Sequence, residues 1–214
     1  MIYWLLSIVT ALVACFFGNI NPMTIASNYV FKKNLRRLGS GGLWFSKFNR
    51  LYGWKGFVKL AAVELVIDIL PIIIGGLLFG TKDQAAVGRS LAAFCLIISR
   101  TYPILGAFTG TDGLVAMMIG LMFMDTTVGI SVLIAVAIGI FAMKYRTAAN
   151  VLGGITAIAM STTTVDELLV MRLCAYVGIL IVIRNIRPLI AMINGNEEKI
   201  SFREDLTYKF DEKF

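Results

Sequence analysis

The stretch Phe57–Phe79, FVKLAAVELVIDILPIIIGGLLF, decides the fold class. A helix that crosses a bilayer needs roughly 20 predominantly apolar residues, and this run supplies them. Glu64 and Asp68 stand one turn apart within it and share a helix face. Pro71 follows, where it would bend the helix or free a carbonyl. Outward from this run, Ile2–Ile20, Val87–Leu105, Val128–Met143 and Leu168–Ile190 read the same way, while Gly113–Met124 and Ala148–Met160 are shorter. The expectation is an all-α polytopic membrane bundle of about seven transmembrane helices over residues 1–193, followed by a polar tail at 194–214.

Composition agrees. The chain is 58% hydrophobic and 15% charged, with a mean hydropathy of +0.81. A soluble domain is nearer half apolar and a quarter charged. The net charge of +7 falls in segments between apolar runs, so it predicts attraction to anionic headgroups and no nucleic-acid partner. Cys15, Cys95 and Cys174 each sit alone in an apolar run, as buried free thiols do, without metal-ligand spacing. The chain has no histidine, which excludes Ser-His-Asp triads and the usual zinc sites. Neither a metal nor another cofactor is implied.

Residues 1–31 carry no charged side chain, and therefore no basic region of the kind that precedes a signal peptide's apolar core. The first span is expected to be a retained helix with its amino end translocated. That orientation puts Asn21–Gly56, Ala107–Asp112, Lys144–Asn150 and everything after Ile190 inside, with Lys144, Arg146, Lys199 and Arg203 among the inner cations. The outer turns, near Gly80–Ala86, Asp125 and Ser161–Glu167, are acidic or close to neutral. The positive-inside rule then predicts amino end outside, carboxyl end in the cytoplasm, in the cell membrane.

The basic segment 21–56 gathers Lys32, Lys33, Arg36, Arg37, Lys47, Arg50 and Lys55 around the triplet Gly39, Ser40 and Gly41. Glycines admit close backbone approach to an anion and cations neutralise it, so a phosphate group suits the segment; the plainer reading is a basic cytoplasmic loop. Intramembrane charges are costly and usually paired or turned to a polar cavity. Asp68 and Arg100 are thus either the lining of a cytoplasm-facing polar site or a structural ion pair, and Arg89 and Arg172 are read as snorkelling outward. The stretch Thr101–Gly113 bends at Pro103 and carries Gly110 and Gly113, a turn opening a helix and a plausible anion cradle, although Asp112 argues against phosphate there.

In this order these pieces resemble the bacterial acyl-phosphate:glycerol-3-phosphate acyltransferases of the PlsY type. That family's first motif begins glycine–serine–glycine–asparagine and reaches an arginine ten residues past the serine. Gly39, Ser40, Gly41 and Arg50 match; Gly42, Ser46 and Lys47 replace an asparagine, a threonine and an asparagine. Asp68 matches the aspartate of the following helix, with Pro71 and Ile72 in place of a lysine–glycine pair. In the second motif Tyr102, Pro103, Phe108, Gly110 and Gly113 keep the frame, while Arg100 replaces a histidine and Thr109 and Asp112 replace two lysines. Near the carboxyl end Asn185, Ile186, Arg187, Gly195 and Glu197 match, and Val182 stands where a histidine would be.

The resemblance implies seven spans and an acyl transfer from acyl phosphate to glycerol 3-phosphate at the cytoplasmic face, giving lysophosphatidic acid without metal. It implies that Ser40, Arg50 and Asn185 are catalytic. Gly39, Gly41, Gly42, Lys47, Arg100, Gly110 and Gly113 would bind substrate or phosphate, and Asp68 would be a structural polar residue. Two other readings stand beside it: a family member that binds lipid phosphates or a membrane partner without catalysis, and a small transporter using Asp68 and Arg100.

Overall fold

Every described residue lies in a helix or a short connection between helices, and none lies in a strand. The computed structural model describes residues 2–25, 45–80, 84–103 and 113–197. The chain divides into two compact units, Met1–Asn19 with Asp68–Ile200, and Ile20–Ile67 with Ser201–Phe214. Helices α1 (Ile2–Asn19), α2 (Pro22–Ile25), α3 (Phe45–Gly80), α4 (Ala85–Thr101), α5 (Leu114–Met124), α6 (Thr126–Ile138), α7 (Arg146–Thr164), α8 (Leu168–Arg184) and α9 (Ile186–Ile193) follow in order. Each apolar run of the sequence overlaps one of the longer helices, and α3 continues through Pro71.

Among the described residues three helical segments are long and apolar enough to cross a membrane by length and composition: Ile2–Asn19, Val58–Gly80 and Thr126–Met143. The pair α8 and α9, bent by 46° at their junction, makes a fourth if counted as one span. The others fall short for a physical reason. α4 carries Arg89 and Arg100 and buries much of its length against other helices, so little of it need be oily. At 11 residues α5 reaches about 16 Å, roughly half a hydrocarbon core.

In the larger unit α4 packs on α1, α5 and α8, and α5, α6, α7 and α8 pack in succession, so α4 to α8 close into a ring. Leu96, Ile97, Met117, Leu121, Val132, Val177 and Ile181 fill the interior and are fully or almost fully buried. Small residues let the helices meet: a Cβ on Gly154 would stand 2.9 Å from the Gly178 carbonyl oxygen, and one on Gly178 2.5 Å from that of Gly154. The connections are tight. Asp125 ends α5 and caps α6, accepting from the Val128 N–H at 2.9 Å. A π-helical turn, Gly139–Met143, carries α6 on to Lys144, whose φ of 60° reverses the chain into α7.

This alternation sorts charge by ends. The carboxyl ends of α4, α6 and α8 and the amino ends of α5 and α7 share one end, with Arg100, Lys144, Arg146 and Arg184. The opposite end has Asp125, Asp166 and Glu167, which offset Arg89 and Arg172 there.

Candidate active site

The cationic end is assembled from three helix termini. α4 stops at Thr101 because Pro103 follows and keeps its predecessor, Tyr102, out of the helical region, at φ −130° and ψ 70°; the Tyr102 N–H closes the last turn on the Ile98 carbonyl at 2.8 Å. The carboxyl end of α1 is tied to it. Asn19 Nδ2 donates to Ser99 Oγ at 2.9 Å, and Ser99 Oγ to the Cys15 carbonyl at 3.0 Å. α5 starts against the same spot. Gly113 has φ of 72°, and a Cβ there would lie 2.7 Å from Thr101 Oγ1 and 3.5 Å from Ile181 Cδ1, so α4, α5 and α8 meet at a position only glycine fits.

Arg100 and Asp68 form a buried ion pair, with side chains 2% and 0% exposed. Of the two sequence alternatives, the geometry has the form of the structural pair. The pair joins α3 to α4, and the Arg100 guanidinium does not stand open to solvent. Arg89 and Arg172 are exposed, as snorkelling side chains are.

Asn185 ends α8 and begins α9, at the 46° bend. Its side chain is 3% exposed and engaged at both atoms: Nδ2 donates to the Ile181 carbonyl at 2.8 Å, and Oδ1 accepts from Asn150 Nδ2 of α7 at 3.0 Å. These two bonds hold the bend in place. α9 then closes with a Schellman turn, Asn196 N–H to the Ala191 carbonyl at 2.9 Å and Gly195 N–H to that of Met192 at 3.0 Å, with Gly195 at φ 74°. This turn delivers Glu197 to the start of α7, where one carboxylate oxygen accepts from Thr147 Oγ1 at 2.8 Å and from its N–H at 3.3 Å. A carboxylate suits the partial positive charge of a helix amino end.

Arg184 is the residue that the motif comparison passes over. Half-buried, it holds its guanidinium carbon 5.3 Å from the centre of the Tyr102 ring, a cation–π arrangement at the same end. Asn150 and Thr147 were also unannounced, because neither sits in a motif. Lys47 and Arg50 lie in the first turns of α3, and their side chains lie outside the described residues, as do Gly39, Ser40, Gly41, Gly42 and Gly110. Among the described residues no group of histidine, cysteine or carboxylate side chains could hold a metal ion.

A model of the glycerol-3-phosphate acyltransferase family matches residues 8–195. The chain belongs to this family. Relatives named glycerol-3-phosphate acyltransferase agree: the Finegoldia magna protein is 26% identical over 204 residues, covering 92% of this chain and 98% of its own. That of Thermoanaerobacter pseudethanolicus is 25% identical over 158 residues, 72% of this chain and 76% of its own. The fold matches PlsY, an integral membrane glycerol 3-phosphate acyltransferase, in its glycerol 3-phosphate and lysophosphatidic acid crystal forms. In both, TM-score is 0.74 and identity 18%, over 94% of this chain and 98% of that one. This chain is thus an integral-membrane acyltransferase-family protein, and the binder and transporter readings give way to the enzyme.

Proposed function

We propose that the chain transfers an acyl group from acyl phosphate to glycerol 3-phosphate, giving lysophosphatidic acid, at the cationic end of the helix ring. One observation carries this reading: Tyr102, Gly113, Asn185 and Glu197, motif positions far apart in sequence, gather at one end together with Arg184. The two crystal forms of PlsY support the same acceptor and product.

The acceptor hydroxyl oxygen attacks the acyl carbonyl carbon, and the bond from that carbon to the phosphate oxygen breaks. The departing phosphate takes up the hydroxyl proton, so a histidine base is dispensable. Positioning and stabilisation of the developing anion are what remain for the protein to supply. Ser40 and the backbone N–H groups of Gly41 and Gly42 hold phosphate or the acceptor hydroxyl, with Gly39, Gly110 and Gly113 admitting close backbone approach. Arg50 and Lys47 neutralise the leaving phosphate. The part first expected of Arg100 passes to Arg184, because Arg100 is buried against Asp68 whereas Arg184 is half-buried and braced on Tyr102. Asn185 is a positioning residue acting through Asn150 and the α8–α9 bend.

We further propose seven crossings, amino end outside, with the cationic end in the cytoplasm; the excess of arginine and lysine over carboxylates at that end, against Arg89 and Arg172 beside Asp125, Asp166 and Glu167 at the other, supports it. The test of function is turnover in proteoliposomes supplied with glycerol 3-phosphate and either acyl phosphate or acyl-CoA. Lysophosphatidic acid should form with acyl phosphate alone. No product from protein of intact helical content would leave a non-catalytic binder.

A further inference from the structure

The end of α4 remote from Arg100 borders a second feature. Ile73, Gly76 and Leu77 of α3, Ala85 and Arg89 of α4 and Phe123 of α5 line an open groove of about 690 Å³. That size is within the range of ligand cavities, about 300–1,000 Å³. Ile73 and Leu77 supply exposed apolar surface, 47% and 69% accessible. Among the described lining residues the single charge is Arg89, exposed and without an ion pair or hydrogen bond to any described residue. Its stem is laid along α3 by a glycine: a Cβ on Gly76 would stand 2.7 Å from Arg89 Cγ and 3.3 Å from Cδ. Arg89 is about 6 Å along the axis from the start of α4 and about 16 Å from Arg100, so the groove is separate from the cationic end. The first turn of α4, which has no side-chain cap, turns the positive pole of the helix toward the same end.

We propose that this groove binds one anionic diacyl phospholipid, an acyl chain against Ile73, Leu77 and Phe123 and the phosphate on Arg89. An apolar trough with one cation at the height where arginines snorkel has the complementarity such a lipid requires. A second copy of the chain fits less well, because a two-fold contact through the groove would bring two Arg89 side chains together.

The test is a titration of delipidated full-length protein in detergent with phosphatidylglycerol or with a diacylglycerol of the same chains, bound lipid being counted by native mass spectrometry. One phosphatidylglycerol should be retained, about tenfold more tightly than diacylglycerol, the difference a charge-assisted hydrogen bond makes. Arg89→Gln should erase that difference and Arg89→Lys should keep most of it. Gly76→Leu, whose Cβ would press on Arg89 Cγ and lie 3.7 Å from the Ala85 carbonyl oxygen, should fill the groove and abolish binding of both lipids, at helical content equal to wild type. Arg184→Ala should change neither affinity, separating this site from the proposed active site. Equal affinity for the two lipids in the wild type, or unchanged affinity in Arg89→Gln and Gly76→Leu, would overturn the proposal. A dimer that Gly76→Leu dissolves would overturn it in favour of a second copy.

Discussion

At Arg100 a position that belongs to a histidine in the family holds a guanidinium buried against Asp68. Buried pairs contribute little net stability, yet removing one partner costs about 3–5 kcal/mol. Asp68→Asn should therefore lower the unfolding midpoint in detergent sharply, and adding Arg100→Gln should restore much of it. Equal midpoints for the single and double variants would contradict the pairing. The sequence showed both charges inside apolar runs and offered the pair as one of two alternatives; it could not choose, since the choice depends on how α3 and α4 are rotated about their axes. Arg184 was illegible for another reason. It falls at a position the motif leaves free, and its partner Tyr102 lies on a different helix.

Helix positions were largely legible and their ends less so. The apolar run Ala148–Met160 underestimates α7, which reaches Thr164. Hydroxyls explain the extension: Thr162 Oγ1 donates to the Ala159 carbonyl and Thr164 Oγ1 to that of Met160, each at 2.8 Å, so polar side chains are satisfied without ending the helix. The break at Asn185 is hidden inside a continuous apolar run, because what fixes it is a bond to Asn150 on another helix. Gly195 and Glu197, legible only as motif matches, acquire a physical meaning as the turn and the cap that lock α9 onto α7. Thr147→Val should cost about 1 kcal/mol, as losses of capping interactions do, and speed amide hydrogen exchange in the first turn of α7. Unchanged exchange there would contradict the latch. Gly195→Ala, forced to hold φ near 74°, should cost about 1 kcal/mol as well, read as a drop in unfolding midpoint.

For the whole molecule, membrane character followed from composition and the order of apolar runs, whereas the closure of α4 to α8 into a ring needed coordinates. The orientation can be checked with single cysteines in a variant lacking Cys15, Cys95 and Cys174. Thr127→Cys, exposed beside the Asp125 turn, should react with an impermeant thiol reagent in intact cells, and Lys144→Cys only after permeabilisation. The reverse pattern would invert the topology. The central claim, that acyl transfer takes place where α4, α5 and α8 end, is tested most directly by kcat/KM for glycerol 3-phosphate in Arg184→Ala against wild type, at equal helical content and unfolding midpoint. The account predicts a loss of about a hundredfold, the size seen when one preorganised donor to a developing anion is removed. An Arg184→Ala enzyme within about twofold of wild type, a difference of only a few tenths of a kcal/mol, would contradict it.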